Sequence, residues 1–232
     1  MKNIIENVLK GITGEPKKEF VVIGLGRFGY SICETLYEYG ESILAIDTDY
    51  KKIQKIVTDK IVSHAVQVDI TDSTALKESG IKDFEVAIVA IGEQIEESII
   101  AVSSLKELGV PYVIAKASSE IHEKLLKKVG ADVVIFPERE MGAELARALT
   151  KPKLLDWLEL DDQNSIAEIT VPDSFVNKTL VEVQIRNKYG LNVLALKAKN
   201  KFHVNPVGAT ILEAGWTMIV LGNDKAIDDL AK

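Results

Sequence analysis

Phe20-Val21-Val22-Ile23-Gly24-Leu25-Gly26-Arg27-Phe28-Gly29 is the stretch on which the fold of this 232-residue chain turns. A β-branched apolar run leads straight into G-x-G-x-x-G and then into a helical pattern. Asp47 follows at the end of the next apolar run, Ser42-Ile43-Leu44-Ala45-Ile46, 18 residues beyond Gly29. Strand, glycine loop, helix and acid together form the dinucleotide-binding fingerprint in its structural context. Gly24 permits the tight turn, Gly26 lets the backbone approach a pyrophosphate, and Gly29 lets the helix lie close to the strand. The helix N-terminus offers unpaired N–H groups and a positive dipole end to the anion. Asp47 is placed to accept hydrogen bonds from ribose hydroxyls.

Arg27 points away from an ordinary dehydrogenase. It sits between the second and third glycines, beside the place where phosphates lie. A guanidinium there adds a bidentate fork to the dipole and favours a ligand with more phosphate charge than a simple dinucleotide. The competing reading is a side chain that snorkels over the surface.

Composition narrows the classes. The net charge of −7 argues against nucleic acid or an anionic membrane as the main partner. Residues 1–150 hold 18 basic and 24 acidic side chains, and residues 151–232 hold 10 and 11, so neither part is a basic module. Cys33, the only cysteine, falls in the first helical pattern and reads as a small packing residue. No apolar run approaches the roughly 20 residues of a membrane span. Glu6 and Lys10 interrupt any signal-peptide core, so a soluble cytosolic chain is expected.

Strand-like runs recur at Val66–Val68, Val86–Ile91, Tyr112–Ala115 and Val133–Phe136. Helical patterns separate them at Tyr50–Val57, Ser73–Ser79, Glu93–Leu108, Ser119–Val129 and Glu138–Leu149, with Gly40, Gly80, Gly109 and Gly130 as terminating glycines. Six strands with intervening helices predict an α/β fold, a Rossmann-like doubly wound parallel sheet, with its ligand crevice beside Gly24–Gly29. Lys151-Pro152-Lys153 reads as a break. Leu154–Leu160 then links to a second, smaller α+β C-terminal lobe: strand Ser165–Val171, helix Leu180–Tyr189, strands Asn192–Lys199, Phe202–Asn205 and Trp216–Leu221, and a helix from Asp224. The expected domains are an extension at 1–18, a nucleotide-binding domain at 19–150, and linker plus small lobe at 151–232. Within the extension Ile4, Ile5, Val8, Leu9 and Ile12 share one helical face. The lobe is small enough to need another copy for burial.

Several of these stretches carry a resemblance. Val22–Gly29, Ser63-His64-Ala65-Val66, Val89-Ala90-Ile91-Gly92, Ile135-Phe136-Pro137-Glu138-Arg139-Glu140-Met141-Gly142 and Ile185-Arg186-Asn187-Lys188-Tyr189-Gly190 resemble, in order, the motifs of RCK domains, the regulators of potassium conductance. Within that family the chain is similar to the cytosolic regulatory subunits of Ktr- and Trk-type potassium transporters. The resemblance covers residues 19 to about 225. It implies a Rossmann lobe, a C-terminal lobe, tight dimers, and an octameric ring beneath a membrane-embedded potassium-transporting subunit. It implies ATP, ADP or NAD(H) as ligands and no chemistry, hence no catalytic residues.

Carried over residue by residue, the resemblance makes Gly24, Gly26, Phe28 and Gly29 the phosphate loop. It makes Arg27 a γ-phosphate ligand reaching from both subunits of a dimer, and Asp47 the ribose acid. Asp69 falls near the adenine ring, or is a solvated turn residue. Glu138 helps to bind Mg²⁺ or Ca²⁺ at the dimer seam, or is a helix-start acid after Pro137. Ile185, Arg186 and Asn187 fall in a region that holds cyclic di-AMP in some relatives; the alternative for Arg186 is a last-turn helix residue. An NAD-dependent oxidoreductase and a stand-alone cyclic di-AMP receptor are the other functions the sequence leaves open. His64, His122 and His203 show no metal-ligand spacing, Glu93, Glu96 and Glu97 read as first-turn helix acids, and no G-x-x-x-x-G-K-[ST] is present.

Overall fold

β1 (Glu19–Ile23) lies inside a sheet whose other strands are β2 (Ser42–Asp47), β3 (His64–Gln67), β4 (Val86–Val89), β5 (Tyr112–Lys116) and β6 (Val133–Ile135). In this computed structural model, which describes residues 19–231 apart from 152 and 200, the strand order is β3-β2-β1-β4-β5-β6 and every pairing is parallel. The predicted doubly wound sheet is therefore present. The helices that cross over it are α1 (Arg27–Glu38), α2 (Tyr50–Thr58), α3 (Ser73–Glu78), α4 (Ile95–Glu107), α5 (Glu120–Lys128) and α6 (Pro137–Thr150).

Helices on both faces require strands that are apolar on both sides. Val86–Val89 is buried at all four positions. Val21 and Ile23 enter one core with Leu44, Val113 and Leu105, while Val22 enters another with Cys33, Ile43 and Ile56. Alternation along the strand sends these sets to opposite faces. Cys33 is fully buried, and burial pushes its thiol up to about 12, so it is a packing residue. The four helix-terminating glycines all have positive φ. β3 starts two residues earlier than its apolar run, because its pairing with β2 sets Leu44 against His64 and Asp47 against Gln67.

The chain divides into two compact units between Glu140 and Met141, inside α6 rather than at Lys151-Pro152-Lys153. No residue of α6 is buried. The second unit carries an antiparallel sheet ordered β10-β9-β11-β8-β7. Its strands are β7 (Leu154–Glu159), β8 (Asn164–Thr170), β9 (Asn192–Ala198), β10 (Lys201–Val204) and β11 (Thr217–Asn223), with α7 (Leu180–Val183), α8 (Ile185–Tyr189) and α9 (Asp224–Leu230).

Two expectations are corrected here. Leu154–Leu160 is an edge strand rather than a link, paired to β8 through a register shift between Leu154 and Asp156. The helix expected over Leu180–Tyr189 is two short helices, broken at Gln184, whose φ of 54° is left-handed. The first of them starts on a capping box between Thr179 and Glu182. The amphipathic segment expected at residues 1–18 lies outside the described residues.

Candidate functional site

A cleft of ≈ 600 Å³ opens at the carboxyl ends of β1, β2, β4 and β5, where a doubly wound sheet places its ligand. Gly24 turns the chain with φ +93°, and its N–H donates to the Ile46 carbonyl at 2.8 Å. A Cβ at Gly29 would stand 1.9 Å from the Gly24 carbonyl oxygen. Only glycine lets α1 begin so near the strand. A Cβ at Gly26 would meet nothing within 4 Å, so the loop faces open cleft there. Gly26 is also the N-cap of α1 and supplies no side-chain cap. The first amides of the helix are left for an anion in the cleft.

Asp47 is buried beneath this loop. Its carboxylate accepts from the Leu25 amide at 2.6 Å and the Asp49 amide at 2.8 Å, and it pairs with Lys52 Nζ at 3.1 Å. The acid thus stitches the glycine loop to the end of β2 as well as facing the cleft.

Three cations line the cleft: Arg27, Lys52 and Lys116. Lys116, at the end of β5, donates to Glu138 Oε1 at 2.6 Å. That contact, followed by smaller help from the Arg27 charge, holds the Glu138 carboxyl below its ordinary range despite some burial. Arg27 is exposed and makes no hydrogen bond or ion pair among the described residues. Its charge is available to a ligand.

Phe28 lines the cleft, with the Lys116 ammonium 5.7 Å from its ring centroid. Asp69 is not brought there. Its carboxylate accepts from the amide and hydroxyl of Thr71 in a local turn, which holds it below its ordinary range. The neighbouring Ile70, buried in the turn that follows β3, lines the cleft instead. Glu93 precedes α4, which starts at Ile95 after Gln94, so it faces the cleft rather than capping a first turn. His64 is exposed on β3, and His203 stacks on Trp216 at 5.9 Å in the second unit. Glu138 has no cluster of metal ligands around it, since no group of three His, Cys, Asp or Glu side chains placed to hold an ion occurs among the described residues.

Sequence reasoning missed Lys52, Lys116, Gln94 and Ser118, all of which line the cleft. Lys116 carried a usable signal, a lysine ending an apolar strand run on the side where a parallel sheet binds ligands.

The second unit has a groove of ≈ 470 Å³. Ile185, Arg186 and Asn187 all line it, with Val181, Pro206 and Gly208. Ile185 is anchored in the core of that unit, and Arg186 Nε donates to Asn192 Oδ1 at 2.8 Å. The guanidinium is thereby held at the groove, and Arg186 also lies in the last turn of its short helix.

The TrkA-N domain model matches residues 20–137, and the TrkA-C domain model matches residues 166–232. Ktr system potassium uptake protein C of Bacillus subtilis (strain 168) is 42% identical over 207 residues, 89% of this chain and 93% of that protein. Ktr system potassium uptake protein A of the same organism is 36% identical over 210 residues, 90% and 94% of the two chains. The GsuK channel bound to NAD has the same fold, with a TM-score of 0.65 at 17% identity over 95% of this chain and 40% of that one. No helix among the described residues is long and apolar enough to cross a membrane. The first family match falls on the parallel-sheet unit with its glycine loop, and the second on the antiparallel unit. The chain belongs to the RCK family, as a TrkA-N plus TrkA-C member akin to the Ktr potassium uptake proteins.

Proposed function

We propose that this chain is the nucleotide-sensing regulatory subunit of a potassium uptake system, and that ATP and ADP compete for the cleft at Gly24–Gly29. The observation that carries the reading is the exposed Arg27 guanidinium at the N-terminus of α1, which makes no hydrogen bond or close ion pair among the described residues. The helix amides serve phosphates that both nucleotides share. Arg27 adds a charge-assisted contact that a third phosphate exploits. Asp47 takes the ribose, which NAD(H) also carries, so that ligand enters the same cleft. Lys116 and Glu138 frame the phosphate end, and Glu138 contributes to a Mg²⁺ or Ca²⁺ site once a second copy supplies further ligands. The names of the 42% and 36% identical relatives support potassium uptake. The function is a sensor's, not an enzyme's.

The C-terminal groove takes cyclic di-AMP through Ile185, Arg186 and Asn187. A two-fold ligand suits an isologous seam between two copies. The chain acts in the cytoplasm, peripheral to the membrane through its potassium-transporting partner, as dimers within an octameric ring.

A ligand moves a gate only by its differential affinity for the two states. Taking a gate from 1:99 to 99:1 needs about 5.5 kcal/mol, or ~0.7 kcal/mol per site when eight sites share it. One reoriented Arg27 contact suffices, and hydrolysis is not required. The test is potassium flux into vesicles carrying the membrane subunit with this protein added. ATP and a non-hydrolysable analogue raise flux relative to ADP, and Arg27→Ala erases the difference. Flux indifferent to the nucleotide rejects the reading.

A further inference from the structure

We propose that His122 is a positioning residue of the cleft, a buried neutral imidazole that ties the Ser118 wall to the first turn of α4. This rests on the nucleotide reading of the cleft. His122 and Ser98 are both fully buried. His122 Nδ1 lies 3.2 Å from the Ser118 amide nitrogen. A backbone N–H can only donate, so Nδ1 is the acceptor and carries no proton. The proton of the neutral ring is therefore on Nε2, 2.6 Å from Ser98 Oγ, which accepts it. The Ser98 hydroxyl in turn donates to the Ile95 carbonyl at 3.0 Å. Every polar atom in the chain has its partner, and each assignment forces the next.

The two ends of this chain are the two segments that shape one side of the cleft. Ser118 lines it directly. Ser98 stands one residue after Glu97, which lines it from α4, and the Ser98 amide is bonded to the carbonyl of Gln94, another lining residue, at 3.0 Å. A buried polar chain is costly unless fully satisfied, and an aliphatic side chain would fill the same core without that demand. What the imidazole adds is a fixed spacing between the loop after β5 and the start of α4. The Ser118 hydroxyl also lies 3.2 Å from Nδ1, whose single lone pair the amide already occupies. That hydroxyl is left to turn toward a ligand.

Two conservative variants of the full chain separate the ends. His122→Asn keeps an acceptor where Nδ1 stood, and His122→Gln keeps a donor where Nε2 stood. With ADP as the probe in titration calorimetry, His122→Gln binds roughly tenfold more weakly than wild type, the loss of one hydrogen bond. His122→Asn also binds more weakly, by a smaller factor of about threefold, because it releases Ser98 and so the tie to α4 while the Ser118 amide, nearer the ligand, keeps its acceptor. Nitrogen-15 NMR of the wild-type ring shows a proton on Nε2 alone. A ring protonated on Nδ1 overturns the proposal. So do two variants that melt earlier yet bind ADP as wild type does, which is what a purely structural histidine would give. A wild-type chain that binds neither ADP nor NADH overturns the nucleotide reading, and this proposal with it.

Discussion

The cleft of the first unit and the groove of the second are built from different materials. The cleft is made of backbone: a positive-φ glycine, a helix start with no side-chain cap, and strand ends fixed by a sheet buried on both faces. The groove is made of side chains on two short helices and a loop, over a sheet buried on one face. β4 is buried at every position, whereas β8 alternates buried and half-buried residues along its length. Val181, Phe202, Val204 and Val207 stay exposed in the second unit. A backbone frame offers its amides to any phosphate, and the side chains set around it, Arg27 first, supply the discrimination. A side-chain site on a small lobe gains its specificity from a handful of groups and, in the present reading, from a second copy.

The sharpest way to break this contrast is at the glycines. Gly29→Ala puts a methyl into the Gly24 carbonyl and costs about 3 kcal/mol of stability by overpacking, read as a large fall in melting temperature. Gly26→Ala meets open space at a φ of −67°, so it melts as wild type does and loses nucleotide affinity instead. If both alanines only destabilise, the loop is a structural turn and not a ligand cradle.

The groove responds in the opposite way. Arg186→Ala leaves the fold alone, since among the described residues it removes the single side-chain contact to Asn192, and it weakens cyclic di-AMP binding strongly. The expected loss is about 2 kcal/mol or more, the worth of a charge-assisted hydrogen bond. Equilibrium dialysis gives one ligand per two wild-type chains. One per chain would mean that the groove is complete in a single copy.

A smaller effect separates the two roles of Glu138. In Glu138→Gln the shape remains and the charge on Lys116 is uncovered. Mg²⁺ or Ca²⁺ raises ATP affinity several-fold in wild type and not in the variant. In wild type the low carboxyl pKa keeps Glu138 ionised throughout the neutral range, so its contribution fades only as pH falls below the ordinary carboxylate range. Unchanged cation dependence in Glu138→Gln would leave it a partner of Lys116 and nothing more.

The same contrast explains what was legible in the sequence. Backbone sites announce themselves, because glycines at fixed offsets after an apolar run have few other uses. The parallel sheet was equally plain, since strands buried on both faces read as unbroken apolar runs. β7 was not, because Leu154-Leu155-Asp156-Trp157-Leu158-Glu159 contains a register shift that destroys its alternation. The break at Gln184 was hidden because the apolar spacing carries through it, although Thr179 and Glu182 already spelled a helix start. Lys52 is a single lysine whose direction only the fold supplies, whereas Lys116, at the end of an apolar strand run, was open to being read. Asp69 and Ile70 were told apart only by which of two adjacent residues faces inward.

The central claim is that the first unit counts phosphates through Arg27. Titration calorimetry of ATP and of ADP, on wild type and Arg27→Ala, tests it most directly. The account predicts that Arg27→Ala weakens ATP by about ten- to a hundredfold and ADP much less, because a charge-assisted hydrogen bond of roughly 1.5–3 kcal/mol is lost only where a third phosphate is present. Equal losses for the two nucleotides, or none for either, would contradict it.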